Sequence, residues 1–230
     1  MHKYFAIIPA RKGSKEIKNK NLQKIGSKPL IMWTIDYAKK TNLIDLTIVS
    51  TDDERIIKLS KKYNFFAPFL RPKKYSTDKA TMTGVINHSL TWYKSFYKSL
   101  PQNIILLQPT SPFRNSIDIN NAISKFEKDN KKSLVSITEV TQHPNEMVSI
   151  TKKNKLKRIK TKDKLFGSRH FYSKYYFIDG GIYISDTKRF LMKQSMHDTN
   201  SSYLIIDKAH GIDINDNFDL LISRKISNYT

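Results

Sequence analysis

Residues Lys3 to Asn21 read KYFAIIPARKGSKEIKNKN, an uninterrupted apolar run that stops at Ala10 and gives way to a loop carrying Arg11, Lys12, Lys15, Lys18 and Lys20. A short apolar run bounded by a turn is the pattern of a strand buried on both faces. Pro29 to Lys40 (PLIMWTIDYAKK) then opens with a proline suited to the first turn of a helix and closes on lysines that complement a helix C-terminus. Strand, basic loop and helix in that order place the loop at the carboxyl end of the first strand, the edge at which open α/β sheets bind ligands.

The same alternation continues downstream. Leu46–Thr51 (LTIVST) reads as a strand, and Asp52–Tyr63 as a helix with Ile56, Leu59 and Tyr63 on one face and acids in its first turn. Val85, Ile86, Leu90 and Tyr93 have helical spacing, Asn103–Gln108 is a second buried strand, Ile117–Glu127 a helix and Ser133–Val140 a strand. The rhythm breaks between Thr141 and Phe177, then resumes with IDGGIYIS (Ile178–Ser185), SYLIID (Ser202–Asp207) and a last helix with Phe218, Leu221, Ile222 and Ile226 on one side. The expected fold is α/β: a Rossmann-like, three-layer nucleotide-binding domain over 1–140 and 178–230, with a mixed, mostly parallel sheet. Residues 141–177 form an inserted dimerisation or substrate-cap element in this reading.

The chain has 230 residues, enough for one domain with a proper core, and no cysteine, so thiolate metal sites and disulfides are excluded. Its start is too short in apolar residues for a signal peptide and no segment approaches a membrane span, so a soluble cytoplasmic protein is expected. The formal charge is +21, but lysine outnumbers arginine 33 to 8 and the lysines are spread along the chain. That spread reads as compositional drift rather than a nucleic-acid footprint, so neither nucleic acid nor membrane is expected as a partner. The densest run, Lys152 to Lys164, reads as a solvated face.

Neither G-x-x-x-x-G-K-[ST] nor G-x-G-x-x-G occurs, which argues against a Walker-type ATPase and an ordinary dinucleotide site. In the opening loop Arg11 can chelate phosphate oxygens in a fork, Ser14 can donate, and Lys15 and Lys20 supply point charges. A triphosphate cradle and a solvated basic turn both fit those residues. VSTDDE (Val49–Glu54) ends a strand, with Thr51 or Asp52 as a helix cap, while LRPKKYSTDKAT (Leu70–Thr81) brings Arg71, Asp78 and Thr81 in front of a helix. LLQPTSPFR (Leu106–Arg114) holds Gln108, Thr110 and Ser111 between two prolines that stiffen the turn. In GIDINDNFD (Gly211–Asp219), Asp213 and Asn215 share one side of an extended segment, suited to Mg²⁺ held jointly with phosphates. Asp216 fits better as the N-cap of the last helix. The histidines have no metal-ligand spacing, and His88 reads as structural; Tyr172, Tyr175 and Tyr176 suit either stacking or interface packing.

Taken together, IPARKGSKEIKNKN, VSTDD, LRPKKYSTDKAT, LLQPTSPFR, DGGIYIS and IDINDNFDL, in this order and spacing, resemble the acylneuraminate cytidylyltransferase family. The resemblance implies a homodimeric enzyme that joins CTP to a nonulosonic, keto-sugar acid with Mg²⁺, giving the CMP-sugar and pyrophosphate. It assigns Arg11, Ser14, Lys15 and Lys20 to the triphosphate and Asn21, Arg71, Ala80 and Thr81 to cytidine. Gln108 and Tyr183 face the sugar, Arg169 comes from the inserted element, and Asp213 holds the metal. Arg11, Lys20 and Asp213 are the implied catalytic residues.

The chain also departs from the family pattern. Glu16 stands where glycine is usual, Lys18 where proline is frequent, and Asn215 in place of the second acid of a metal pair. Phe177 and Glu146 replace the arginine and lysine that accompany a sialic acid carboxylate, which leaves legionaminic, pseudaminic or another keto acid open. A related synthetase for 3-deoxy-octulosonate, a nucleotidyltransferase for another base, and a non-catalytic nucleotide or nucleic-acid binding protein are the competing readings.

Overall fold

The computed structural model describes residues 1–159 and 173–227. Its frame is a six-stranded sheet in the order β10-β6-β9-β5-β1-β4. The strands are β1 (Tyr4–Ala10), β4 (Leu46–Thr51), β5 (Asn103–Leu106), β6 (Ser133–Glu139), β9 (Tyr176–Asp186) and β10 (Ser202–Ile205). β1 pairs in parallel with β4 and β5, and β10 with β6, whereas β9 runs antiparallel to both β5 and β6. The mixed, mostly parallel sheet expected from the sequence is therefore the one found, with β9 as its reversed strand.

The first strand explains the layering. Its side chains alternate between faces, and both faces are covered. Tyr4, Ala6, Ile8 and Ala10 pack with Ile31 and Ile35 of α1 (Leu30–Lys39) and with Ile119 and Ile123 of α4 (Ser116–Lys128). Phe5 and Ile7 pack instead with Ile86, Leu90 and Tyr93 of α3 (Met82–Tyr97) and with Phe190 of α5 (Thr187–Lys193). Burying one such Ile or Phe contributes about 1.5–3 kcal/mol, which holds β1 at the centre and leaves only its carboxyl end open.

Two short strands, β2 (Lys24–Ile25) and β3 (Lys28–Pro29), form a hairpin between the opening loop and α1. α2 (Glu54–Tyr63) is capped by Asp53, whose side chain accepts from the Arg55 amide, so the cap is neither Thr51 nor Asp52. Thr51 instead accepts from the Asp53 amide at 3.0 Å. α6 (Asn217–Ile226) starts at the expected Asp216, in a capping box with Asp219. Its expected apolar side is only partly used: Ile226 packs against the cluster that contains Ile25, but Phe218, Leu221 and Ile222 are exposed, and the buried apolar side chain is Leu220 instead.

Within the irregular segment, β7 (Val148–Ile150) and β8 (Leu156–Arg158) form an antiparallel hairpin with every residue exposed. Arg169, Tyr172 and the end of the basic run lie outside the described residues. Among the described residues, no helix is long and apolar enough to cross a membrane.

Candidate active site

β1, β4 and β5 end side by side, with Ala10 in register with Thr51, and their continuations supply the first wall of a cleft. After Ala10 the chain runs through Arg11 to Asn19, which sits at φ 54° in the left-handed region that asparagine tolerates better than most residues. Arg55 stabilises this turn by donating to Asn19 Oδ1 at 2.9 Å while its guanidinium also binds the Asp53 carboxylate. Asn21 then reaches back, its amide donating to the Arg11 carbonyl at 3.0 Å. The loop is thus tied to α2 and to itself, and two of its cations, Arg11 and Lys20, line one opening.

That opening is a cleft of about 290 Å³ whose lining includes Arg11, Ser14, Lys20, Asn21, Arg71, Ala80 and Gln108. Lys15 stands at its rim: Asp78, on the opposite loop, pairs with Arg11 at 2.8 Å and with Lys15 at 3.5 Å. Arg71 is buried, donates from Nε to Ser76 at 3.0 Å, and lies 3.6 Å from Asp52. Burial lowers the pKa of Arg71, as it lowers that of Lys20, where the neighbouring Arg11 adds to the effect against the pull of Asp213. Thr81 is absent from the lining; its hydroxyl caps α3 by accepting from the Gly84 amide at 3.1 Å.

The opposite wall depends on a distortion of β9. Between the pairs Val135↔Tyr183 and Ile137↔Ile178, β9 takes more residues than β6, and Gly180 in that bulge has φ +79°. A Cβ placed on Gly180 would lie 3.9 Å from both Gln108 Oε1 and Asp213 Oδ2, so these two side chains face one another across the bulge. Lys20 joins them from below, its ammonium donating to the carbonyls of Ile214 at 2.7 Å and Asn215 at 3.2 Å. Asn215 in turn donates to Asp213 Oδ2 at 3.0 Å. The remaining oxygen, Asp213 Oδ1, is buried with no hydrogen-bond partner among the described residues. Among them no three His, Asp or Glu side chains form a self-sufficient metal site.

Beneath the bulge lies a support that the motif reading quoted without giving it a role. Arg114 is fully buried and donates to the carbonyls of Gln108 at 2.8 Å and Gly181 at 2.9 Å and to Thr34 at 2.6 Å. Its burial brings its pKa down to about 10, with Asp179 the main opposing influence. Asp179, itself buried and shifted upward by desolvation, accepts from Ser136 at 2.5 Å, Thr138 at 3.2 Å and the Gly181 amide at 2.7 Å. Arg114 therefore fixes the backbone that carries Gln108 and Gly181. Tyr183, half-buried beside the His197 ring, has its hydroxyl pushed up to about 12, mainly by burial.

Sequence reasoning also missed the apolar side of the cleft, formed by Tyr75, Met82 and Val85. Val85 was legible only as a core position, and Tyr75 carries no signal beyond its place in RPKKYS. Glu16, the acid within the basic loop, is exposed and outside the cleft lining; Ile17 beside it is buried against Ile25 and Leu30, which turns Glu16 outward. Lys18 is likewise exposed. Phe177 lines a second cleft together with Asp213, and Glu146 lines a separate hollow with His143 and Tyr175.

Residues 5–201 match the family model described as Cytidylyltransferase. The chain belongs to the cytidylyltransferase family. With that family it belongs to the nucleotidyltransferase enzymes, and its curated relatives include cytidylyltransferases named for several acids. An N-acylneuraminate cytidylyltransferase of Escherichia coli is 33% identical over 94% of this chain and 50% of its own length, so the chain spans half of that relative. The CMP-N,N'-diacetyllegionaminic acid synthase of Legionella pneumophila is 30% identical, covering 96% of this chain and 94% of that protein. A pseudaminic acid cytidylyltransferase of Campylobacter jejuni is 29% identical over 95% and 93%. A CMP:2-keto-3-deoxy-manno-octonic acid synthetase structure complexed with CTP has the same fold, with a TM-score of 0.72 at 16% identity over 99% of both chains.

Proposed function

We propose that the chain transfers the cytidylyl group of CTP to the anomeric hydroxyl of a nonulosonic acid, releasing pyrophosphate. The observation that carries this reading is the single cleft that gathers Arg11, Ser14, Lys20, Asn21 and Arg71 opposite the Gln108–Asp213 junction. In the reaction the hydroxyl oxygen attacks the α-phosphorus, the bond to the β-phosphate oxygen breaks, and pyrophosphate departs. Positioning and charge neutralisation supply most of the acceleration in such a displacement. Arg11, Lys15 and Lys20 would neutralise the triphosphate, and Asn21, Arg71 and Ala80 would surround the nucleoside, with Thr81 next to Ala80 capping α3. Gln108 and Tyr183 would meet the acid, with Arg169 reaching it from the inserted element.

The donor set fits Mg²⁺ as a joint site. Asp213 offers a buried oxygen without a hydrogen-bond partner, and Mg²⁺ commonly takes one or two carboxylates plus phosphate oxygens. When bound there it would supply positive charge to the phosphates. Asn215 would orient the carboxylate through its 3.0 Å hydrogen bond instead of acting as a second anionic ligand. Asp213→Ala should lower kcat by at least about 100-fold, as expected when a preorganised charged contact is lost, measured by pyrophosphate release with CTP, Mg²⁺ and the acid. Unchanged turnover would remove Asp213 from the mechanism.

Homodimer formation belongs to the same proposal, with the exposed β7–β8 hairpin supporting it. So does a cytoplasmic setting. The octulosonate alternative has the shared fold in its favour, but three relatives at 33%, 30% and 29% identity are named for nonulosonic acids.

A further inference from the structure

A second cleft, of about 540 Å³, is lined in part by Ile212, Asp213 and Asn215, none of which lines the first. Its charged lining is Glu139, Asp179, Asp213 and Asp219 against one basic residue among those described, Lys208. The two clefts meet at Gly180, with Gln108 on the first side and Asp213 on the second. An acceptor whose hydroxyl meets the α-phosphate at that junction must extend the rest of its body away from the nucleotide, into the second cleft. A sugar acid entering there brings a carboxylate into a predominantly acidic chamber, which repels it unless a cation answers it. Phe177 lines the same cleft and carries no charge.

The position of Lys208 suits that task. Its ammonium is 3.8 Å from Glu139 Oε1, at the outer limit of an ion pair, and both side chains remain about half exposed. It is therefore free to exchange its partner at little cost. Its backbone, by contrast, is well held. Ile206 donates to the Ile137 carbonyl at 3.0 Å, and Gly211 donates to the Asp207 carbonyl at 3.0 Å, closing the turn. Ala209 donates to the Asp207 side chain at 2.7 Å. A turn after β10 that is tied to β6 thus presents a half-exposed ammonium to the acidic cleft.

Resting on the proposed transfer reaction, we infer that Lys208 binds the carboxylate of the sugar acid in the second cleft, with Glu139 as the partner it leaves. Steady-state pyrophosphate release by the full chain tests this, using saturating CTP and an N-acylneuraminic acid, N,N'-diacetyllegionaminic acid or pseudaminic acid as the varied substrate. Lys208→Ala and Lys208→Met should each raise KM for the acid about ten-fold or more and leave KM for CTP within about two-fold. Lys208→Arg should recover most of the loss. With the methyl ester of the same acid, wild type and Lys208→Met should perform alike. An unchanged KM for the acid, or an equal rise in KM for CTP, would overturn the inference while leaving the transfer reaction standing. No turnover by the wild type with any acid would overturn the functional reading and this inference with it.

Discussion

Asp78 holds two cations of the cradle, Arg11 at 2.8 Å and Lys15 at 3.5 Å. Those contacts keep its carboxyl below the usual range, the Arg11 hydrogen bond contributing most. In the proposed reaction a triphosphate would compete for the same two side chains, with Asp78 standing in the place of the ligand's charge. Exposed pairs of this kind are worth little individually. Asp78→Asn should therefore tighten CTP binding modestly, about two- to five-fold in Kd at low salt, by titration calorimetry. Weaker binding by the variant would show that Asp78 supports the cradle rather than competing for it. The residue types Arg11, Ser14, Lys15 and Lys20 were legible in the sequence because fork and point-charge chemistry is local. Their pairing with Asp78, and the carbonyls that hold Lys20, depend on residues 63 to 195 positions away and leave no local signal.

At the scale of elements, the β9 bulge and the turn after β10 set the shape of the site. Gly211 is packed so tightly that an added Cβ would stand 2.1 Å from Thr138 Oγ1 and 2.8 Å from Thr138 Cβ. Gly211→Ala should thus force this turn off β6 at a cost of about 1–3 kcal/mol, read as a lower urea midpoint; an unchanged midpoint would mean that the turn yields freely. The alternation of strands and helices was legible because periodicity is a property of neighbouring residues. The direction of β9 was not, since DGGIYIS buries its side chains equally well in either orientation. Asp53 rather than Thr51 or Asp52 caps α2 because Arg55 holds the Asp53 carboxylate in place. Phe218 and Leu221 have helical spacing, yet α6 meets the core through Leu220 and Ile226, because the helix packs on the β2–β3 hairpin.

Over the whole molecule, the described fold leaves an apolar surface on the hairpin that projects from the irregular segment. Ile150 and Leu156 are 72% and 74% exposed, with Val148 and Ile159 beside them. Apolar patches of this sort mark interaction sites. In the proposed homodimer this hairpin is covered, so Ile150→Glu with Leu156→Glu should convert the dimer to a monomer in sedimentation equilibrium without lowering the melting point of the monomer fold. A monomeric wild type would contradict the assignment. The expectation of a cytidylyltransferase rests on widely separated blocks that the sheet brings to one edge, and those blocks were readable because each is a short contiguous run whose residue types can be read locally. The measurement that tests the central claim most directly follows the phosphorus. Wild-type chain incubated with [α-³²P]CTP, Mg²⁺ and each nonulosonic acid should move the label into a CMP-sugar with at least one acid, and labelled UTP should give none. Label that stays in CTP with every acid would contradict the account.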